Sequence, residues 1–477
     1  MQAYALADSR RNQSMSQDQE TKTLEAIRHL LVSPDPKRSE IALKKGLLYS
    51  ASSGHSYPLL DGIPWFFREP RASLLGWQEE MRIGLGRLKE RVEFLAHSLS
   101  KLETSPKATR LRLENLCIGS ETHHTALAKL FKPYLDKSIH QNLADHLLRD
   151  KIPSSQEILS YPKNVFRDWA WGEEENNGYL ELVKALLGNE TSLGNSVVFG
   201  SGSSRFAYDL SIEFNHSSVI ATDFNPMLLN LGKKLSEGEK ISLCEFPVTP
   251  KTEQDYAVQH KLEAPQKAPS SLSFLFSDAM NPPFKEKCLD SLFTPWLIDI
   301  VPQDFDLFSK RMNAILKEGR AWVNFGSLVF HHKDPKLRYG EKEVLEILEN
   351  NGFSVEKVIH KELPYLKSPH ESAYRMETLF SFKAVKKTHM DMPAYFEYLP
   401  SWILNPDEKI PEDPAWTQDA QAYGVFHGVL NQVNGKQSLN EIAAKVSANF
   451  GLDEKIAQQS LKQFLVRRFE AHLMTRF

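Results

Sequence analysis

Apolar residues recur along this chain in several rhythms, and each predicts a different kind of element. Residues 24–32 carry a short helical pattern that ends at the 34–37 proline-containing turn, after a polar stretch over the first twenty residues. Short apolar runs at 41–50 and 55–67 flank a Ser52-Ser53-Gly54 turn and predict paired strands. Met81, Leu85, Leu88, Val92 and Leu95 then fall three and four residues apart with Arg and Glu between them. That spacing predicts a mostly helical segment over 74–148, with 122–131 and 139–148 separated at Pro133. From residue 195 the rhythm changes to short apolar strands alternating with amphipathic helices. Strands are predicted at 197–199, 218–222, 272–276, 289–297, 321–325, 353–360 and 378–384. Helices are predicted at 205–210, 226–235, 303–316 and 341–350, and the polar stretch 240–270 reads as a loop-rich insertion. This alternation predicts an α/β fold with a mostly parallel sheet covered on both faces. Five prolines in 390–414 mark a linker or wrapping segment. Three amphipathic helices follow at 422–433, 438–450 and 453–469, with Ser438 and Glu441 spaced as a capping box.

At 477 residues the chain is expected to hold several units. The pattern divides it into a small α+β module (1–72), a helical segment (73–160), the alternating sheet domain (161–388), a linker (389–414) and a helical C-terminal unit (415–477). A formal charge of −3 supplies no general attraction to nucleic acid or to an acidic membrane. Cys117, Cys244 and Cys288 are far apart, without metal-ligand spacing, and their odd number argues against a disulfide framework. Neither a membrane-spanning run nor a signal-peptide core is present, so a cytoplasmic location is expected, and no metal site is predicted. His123 and His124 are adjacent and cannot share a helix face as a metal pair would.

The candidate chemistry concentrates in 195–225. The run Val197-Val198-Phe199 stops at Gly200-Ser201-Gly202-Ser203-Ser204, a helix begins at Arg205, and the next strand ends on Asp223. Strand, glycine loop, helix, strand and acid form the opening of a nucleotide-cofactor site, with Asp223 placed to accept from ribose hydroxyls. A dinucleotide site needs a third glycine for close packing of helix on strand, and Arg205 stands there instead. The two closing strands without a helix between them form a hairpin typical of S-adenosylmethionine-dependent methyltransferases. In that chemistry Gly200 and Gly202 pass under the cofactor's amino-acid part and Asp278 sits by the adenine; a strand-end cap is the other reading of Asp278. Before the sheet, Phe166-Arg167-Asp168-Trp169 leads into the acidic turn Glu173-Glu174-Glu175, which reads either as a helix start capped by Asp168 or as a lid over the cleft.

Together, Phe166-Arg167-Asp168-Trp169, the Gly200–Asp209 loop and helix start, and Trp322-Val323-Asn324-Phe325-Gly326-Ser327-Leu328-Val329-Phe330-His331 resemble the carnosine N-methyltransferase family. The resemblance spans about residues 161–386 and implies a class I methyltransferase Rossmann-like sheet with S-adenosyl-L-methionine as cofactor. It implies cofactor contacts from Arg167, Trp169, Gly200, Gly202, Arg205, Asp223 and Asp278, with Arg205 meeting the cofactor carboxylate or an acid of 173–175. Asp299, His331 and Tyr374 would form the acceptor pocket, Asp299 holding the imidazole. Asp299 could otherwise cap the 303–316 helix, and His331 could be one of two loop histidines with His332. Departures from the family's pattern include Ser204 for a loop glycine, Asp223 for a glutamate, Ser327 for a proline, and the rewritten stretch Ile300-Val301-Pro302-Gln303.

Tyr57-Pro58-Leu59-Leu60-Asp61-Gly62-Ile63-Pro64 resembles the end of the zinc-ribbon-like proteins that activate certain methyltransferases, here without zinc ligands; a plain N-terminal β-hairpin is the other reading. The C-terminal helices resemble PqqD-like winged-helix modules that hold leader peptides, a spacing shared with helix-turn-helix DNA modules. Glu441, Asp453, Glu454 and Glu470 beside Lys462, Arg467 and Arg468 weaken the DNA reading. The expected activity is N-methylation of an imidazole in a histidine-containing small molecule or peptide. The alternatives are another O- or N-acceptor, or a cofactor-binding scaffold that recruits a peptide or protein partner.

Overall fold

A computed structural model describes residues 24–25, 27–44, 47–102, 106–137, 157–397, 399–412 and 432–473. Seven strands form the central sheet: β6 (Ser192–Phe199), β7 (Asn215–Asp223), β10 (Leu272–Phe276), β11 (Leu289–Pro295), β12 (Leu316–Gly326), β13 (Phe353–Tyr365) and β14 (Arg375–Lys386). Their spatial order is β10-β7-β6-β11-β12-β14-β13. The first five run parallel, while β14 is antiparallel to both β12 and β13.

Alternate residues of each strand enter opposite cores, as the strand period of two requires. Val197, Phe199, Ile220, Leu275, Leu292 and Trp322 belong to one core, and Val198, Val219, Ala221, Phe274, Phe293 and Val323 to the other. A sheet buried on both faces has no polar alternation, so these strands read in the sequence as continuous apolar runs. The helices Arg205–Glu213, Pro226–Ser236, Phe305–Ile315 and Glu341–Asn350 connect them. The strand order reverses at β6, between β7 and β11, so the crevice for a ligand opens beyond the carboxyl ends of these strands.

The N-terminal module covers the open edge of this sheet. Its strands β1 (Ile41–Lys44), β2 (Leu47–Ser50) and β3 (Ser56–Tyr57) form one small sheet, and β4 (Leu59–Leu60) pairs with β5 (Ile63–Pro64). Trp65 then bridges Phe276 in parallel, and the Phe66 N–H donates to the Phe276 carbonyl at 3.0 Å. The unpaired side of β10 is thereby occupied. Trp65 is fully buried against Tyr134 and Phe276, and its indole N–H donates to the Pro70 carbonyl at 3.0 Å. Leu60, Trp65, Trp77 and Tyr134 share one core with Val198 and Val219, so module, helical segment and sheet pack continuously.

Several expectations are corrected. The 24–32 helix gives way before Leu31, which bridges Phe284 while Val32 bridges Glu40. The helix Lys107–Leu135 continues through Pro133, because a proline in the last turn forfeits little; Asp136 N still reaches the Lys132 carbonyl at 2.9 Å. The predicted 139–148 helix lies outside the described residues. The 240–270 stretch contains a hairpin, β8 (Ile241–Glu245) paired with β9 (Val258–Leu262), whose Leu243 and Leu262 are buried. Two five-residue strands separated by a polar run are too short for a pattern search to register.

The start of the proline-containing segment is held on the sheet domain: Arg311 donates from Nη2 to the carbonyls of Ala394 at 3.0 Å and Tyr395 at 3.3 Å. In the C-terminal unit the Ser438–Glu441 capping box starts the helix Leu439–Phe450, which packs with Glu454–Leu473 around Ile410, Ile442, Leu461 and Leu465. The predicted 422–433 helix falls almost wholly outside the described residues. Among the described residues no helix is long and apolar enough to cross a membrane.

Candidate active site

At the carboxyl end of β6 the chain turns under the crevice. Gly200 and Gly202 take φ of +61° and +55°, values open to glycine at little cost. The Gly202 N–H donates to Asp223 Oδ2 at 2.8 Å, while Asp223 Oδ1 accepts from the Asn225 N–H at 2.8 Å. Asn225 in turn caps the helix Pro226–Ser236 through the N–H groups of Met227 and Leu228. Asp223 is thus fixed at the strand end and lines the cleft. Burial pushes its carboxyl up to about 6, against the pull of its backbone hydrogen bonds. Ser204 is left-handed at φ +66°, a conformation that serine adopts at a cost.

The Arg-Asp-Trp segment is not a capped helix start. After the short helix Pro162–Phe166 it forms a wide π-helical turn, Arg167–Trp171, and the next helix, Glu173–Leu187, begins after Gly172 with no side-chain cap. Wide turns of this kind recur at functional sites. Arg167 pairs with Asp168 Oδ1 through Nε and Nη2, both at 2.7 Å, and Asp168 Oδ2 accepts from the Ser203 hydroxyl. Both residues are buried. Burial would pull the guanidinium pKa down, but Asp168, together with Tyr179, Glu175 and Tyr365 around it, more than offsets this and holds Arg167 firmly charged. Its Nη1 is buried with no hydrogen-bond partner, and the residue lines the cleft. A buried cationic donor without an acceptor is costly, and an anionic ligand group would satisfy it.

Trp169 does not line the cleft; its indole N–H donates to the Ser203 carbonyl at 2.9 Å and braces the glycine loop from outside. Arg205 behaves in the same way. It bonds Asp209, four residues on, at 2.9 and 3.0 Å, donates to the Asp168 carbonyl at 2.8 Å and lies over the Trp169 ring. It meets no acid of 173–175 in these bonds. Of those three, Glu175 is buried and accepts from the N–H groups of Leu366 at 3.1 Å and Lys367 at 2.8 Å.

Asp299 lies across the cleft from the glycine loop's strand, beyond β11, and is buried. Its Oδ2 accepts from the Ser327 hydroxyl at 2.8 Å and the Val329 N–H at 2.9 Å, and burial raises its pKa. It caps no helix; Asp304 does that for Phe305–Ile315. Ser327 therefore contributes a hydroxyl where the resemblance expects a proline. Trp296, between Pro295 and Asp299, has φ +51°, and its buried indole N–H has no partner. Strained backbone and an orphaned donor at a cleft wall are features of ligand sites. Gly326 permits the close approach there, since a Cβ would lie 2.9 Å from Trp296 Cα.

His331 is half-buried outside the cleft lining, and its charge interaction favours the ionised form of Asp299. Its neighbour His332 is buried and accepts from the Asp334 N–H at 3.1 Å. Tyr374 is half-exposed in a separate side pocket, with the Lys367 ammonium 5.3 Å from its ring. The cleft is instead lined by Tyr365 and Arg375, which pair across the end of the β13–β14 hairpin, and by Tyr179 and Trp296. None of these four stood out in the sequence; a tyrosine at a strand end has many structural explanations, and the positive φ of Trp296 leaves no local signature. Asp278 accepts from the Met280 N–H at 2.8 Å and lines the adjoining arm of the cleft with Ser277, Leu297 and Val301. That arm shares Gly200, Asp223 and Leu297 with the main cleft, so the strand-end turn and the ligand-facing position coexist.

No family model and no curated protein matches this chain. Solved structures similar to it include phosphoethanolamine N-methyltransferase 2 of Haemonchus contortus with S-adenosyl-L-methionine, at 15% identity and a TM-score of 0.31, covering 44% of this chain and 53% of that one. The chain thus matches about half the length of that enzyme. A SAM-dependent methyltransferase of Methanosarcina mazei matches at 15% identity and a TM-score of 0.31, covering 44% and 98% of the two chains. A SAM-dependent methyltransferase of Thermotoga maritima, described as a possible histamine N-methyltransferase, matches at 16% identity and 0.30, covering 47% and 94%. The strand order, with its single reversed strand β14, is the Rossmann-like sheet of class I methyltransferases.

Proposed function

We propose that this chain is an S-adenosylmethionine-dependent N-methyltransferase acting on an imidazole nitrogen of a histidine-containing small molecule or peptide. The observation that carries the reading is the unpartnered Nη1 of buried Arg167 beside the Gly200–Gly202 turn and Asp223. The amino-acid carboxylate of the cofactor suits that guanidinium, the ribose hydroxyls suit Asp223, and the adenine suits the arm that holds Asp278. When bound, S-adenosylmethionine supplies a methyl group on a sulfonium, which a nucleophile with a free lone pair can accept.

The chain's own residues meet the demands of an imidazole acceptor. A free imidazole is mainly neutral above a pKa of about 6.5, so one nitrogen keeps its lone pair while the other carries hydrogen. Asp299 can accept that N–H: the two hydrogen bonds it receives from Ser327 and Val329 both fall on Oδ2. Its carboxylate would then orient the ring and stabilise the imidazolium that forms. Tyr179, Trp296 and Tyr365 line the cleft and would help to exclude water, while the Tyr365 and Tyr179 rings already carry the guanidinium groups of Arg375 and Arg167. Tyr365, lining the cleft, takes the role that the resemblance assigned to Tyr374. A peptide acceptor is supported by the likeness of the C-terminal unit to leader-peptide modules.

The decisive assay is transfer of labelled methyl from S-adenosylmethionine to carnosine, histidine peptides and total lysate peptides. Transfer to lysine or hydroxyl acceptors alone would replace the imidazole reading. Cofactor binding without transfer to any of them would favour a scaffold. Asp299→Ala is expected to lower kcat at least about 100-fold on an imidazole acceptor. Its affinity for S-adenosylmethionine, measured by calorimetry, should stay within about threefold, because the cofactor contacts lie elsewhere. Unchanged turnover sinks this role.

Asp223 gives a pH signature. Its carboxyl titrates near 6 and only the ionised form accepts from both ribose hydroxyls, so affinity should fall as pH drops through 6 and level off above it. Calorimetry between pH 5 and pH 8 should show this slope in the wild type and a weak, flat response in Asp223→Asn. Asp209, also pushed up to about 6 by burial, is tested with Asp209→Asn, which should keep the slope.

A further inference from the structure

Outside the cleft, three metal-ligating side chains from three separate stretches converge. Glu245 ends β8, His260 faces it from β9, and His370 comes from the connection between β13 and β14. One ligand atom from each lies within 4.8 Å of the others. His260 Nε2 is 2.7 Å from Glu245 Oε2, and the two imidazole rings are 5.5 Å apart. Glu245 is 2% exposed, so this carboxylate is committed to the protein interior.

A second layer of hydrogen bonds orients two of the three. His370 Nδ1 is 2.8 Å from Asp255 Oδ1; as an N–H donor there, it leaves the ring's lone pair on Nε2. The Ser368 hydroxyl donates to Glu245 Oε1 at 2.8 Å, and the Trp171 indole N–H donates to Oε2 at 3.1 Å. Carboxylate-to-histidine and hydroxyl-to-carboxylate bonds of this kind characterise the outer shell of metal sites.

We propose that Glu245, His260 and His370 bind a divalent transition metal, with Zn2+ as the best-fitting ion. Two imidazoles and one carboxylate suit zinc and its neighbours and disfavour magnesium or calcium, which take oxygen shells. Three protein ligands leave a fourth position for water, consistent with the partial exposure of His260 and His370. On binding, the Nε2–H···Oε2 contact between His260 and Glu245 opens to the about 3.3 Å that two ligands of one tetrahedral zinc require. A neutral His260 moves its proton to Nδ1; an imidazolium releases one proton to solvent.

The ion would staple the β8–β9 hairpin to the β13–β14 connection. Leu366 and Lys367 of that connection hold Glu175, and its ends carry Tyr365 and Arg375 into the cleft. Trp171 ties the same cluster to the turn that presents Arg167. The metal therefore acts on the cleft wall through position, and its binding does not depend on the methyltransferase reading.

The test uses the full chain, stripped with chelator and dialysed. Calorimetry with Zn2+ should give one site with a Kd of about 1 μM or tighter, and Co2+ should give the visible absorption of a tetrahedral ion. His260→Ala/His370→Ala should weaken Zn2+ binding at least about 100-fold. His389→Ala should not change it; that residue belongs to another trio, with the exposed Glu286 and Asp391, and serves as the control. If the double variant does not fold, Asp255→Asn keeps all three ligands and should weaken binding about 10-fold or more by freeing His370. Zn2+ binding weaker than about 100 μM in the wild type overturns the site. So does affinity that survives in both the double variant and Asp255→Asn, or that is lost in His389→Ala.

Discussion

Gly202→Arg is expected to yield a folded chain that has lost S-adenosylmethionine. A Cβ at Gly202 would meet nothing within 4 Å, so the first atom of the new side chain meets no protein atom. Its cost to folding is the left-handed backbone at φ +55°, about 1–2 kcal/mol, which a domain stable by about 5–15 kcal/mol survives. What the arginine does is fill the space in which a ligand approaches the loop backbone. Binding should weaken at least about 100-fold, near 2.7 kcal/mol, by calorimetry, with circular dichroism and melting close to wild type. Affinity within about threefold of wild type would remove the loop from the cofactor site. Gly200 is no substitute for this experiment. A Cβ there sits 3.0 Å from Leu297 Cδ1, so a loss of binding could be a loss of packing.

Asp168→Ala is expected to have the largest effect on stability. Among the described residues Asp168 is the one carboxylate bonded to the Arg167 guanidinium, and both are buried. Removing it leaves an uncompensated interior cation and an unpaired Ser203 hydroxyl, at a cost of about 3–5 kcal/mol. Urea denaturation should show this as a lower midpoint with an unchanged slope. Arg167→Met in the same chain should recover about half or more of the loss, since the charge itself is then gone. A cost for Asp168→Ala below about 1 kcal/mol would mean that the guanidinium finds its compensation elsewhere. Arg167→Met alone leaves the buried Asp168 carboxylate without its cation and should also be destabilised; the double variant, stable again yet binding S-adenosylmethionine poorly, separates the folding role of the pair from its ligand role.

Those two residues also mark how far the sequence could be read. Strand, glycine loop, helix and strand-end acid were legible at 195–225 because backbone chemistry demands those residue types there: glycines at positive φ and an acid at a parallel strand's end. The reversed β14 was legible because two apolar runs adjoined without a helix between them. The side-chain pairing of the site was not. Arg205 was expected on the ligand, yet an acid one helical turn away, Asp209, holds it; that partner was visible in the sequence as an i,i+4 pair. The π-helical turn at Arg167 has no periodic pattern, and that Tyr365 lines the cleft while Tyr374 lies in a side pocket depends on a loop between two strands. The β8–β9 hairpin was hidden for a related reason. Its stability comes from distant partners: Cys244 N donates to His123 Nδ1 at 3.3 Å, and that buried imidazole is held neutral with its pKa pulled down to about 4 by burial.

The strip of chain at Trp65 and Phe66, laid along β10, has a kinetic side. Because it belongs to the same polypeptide as the sheet, its docking is a first-order event whose extent does not change with protein concentration. A separate subunit in that place would dissociate on dilution and would need its own synthesis to be matched to that of the sheet domain. A tethered strip works at an effective concentration on the order of millimolar, set by the length of the connection. Dilution therefore cannot bare the β10 edge, and whatever regulates this protein must act elsewhere than on the supply of an edge-covering partner.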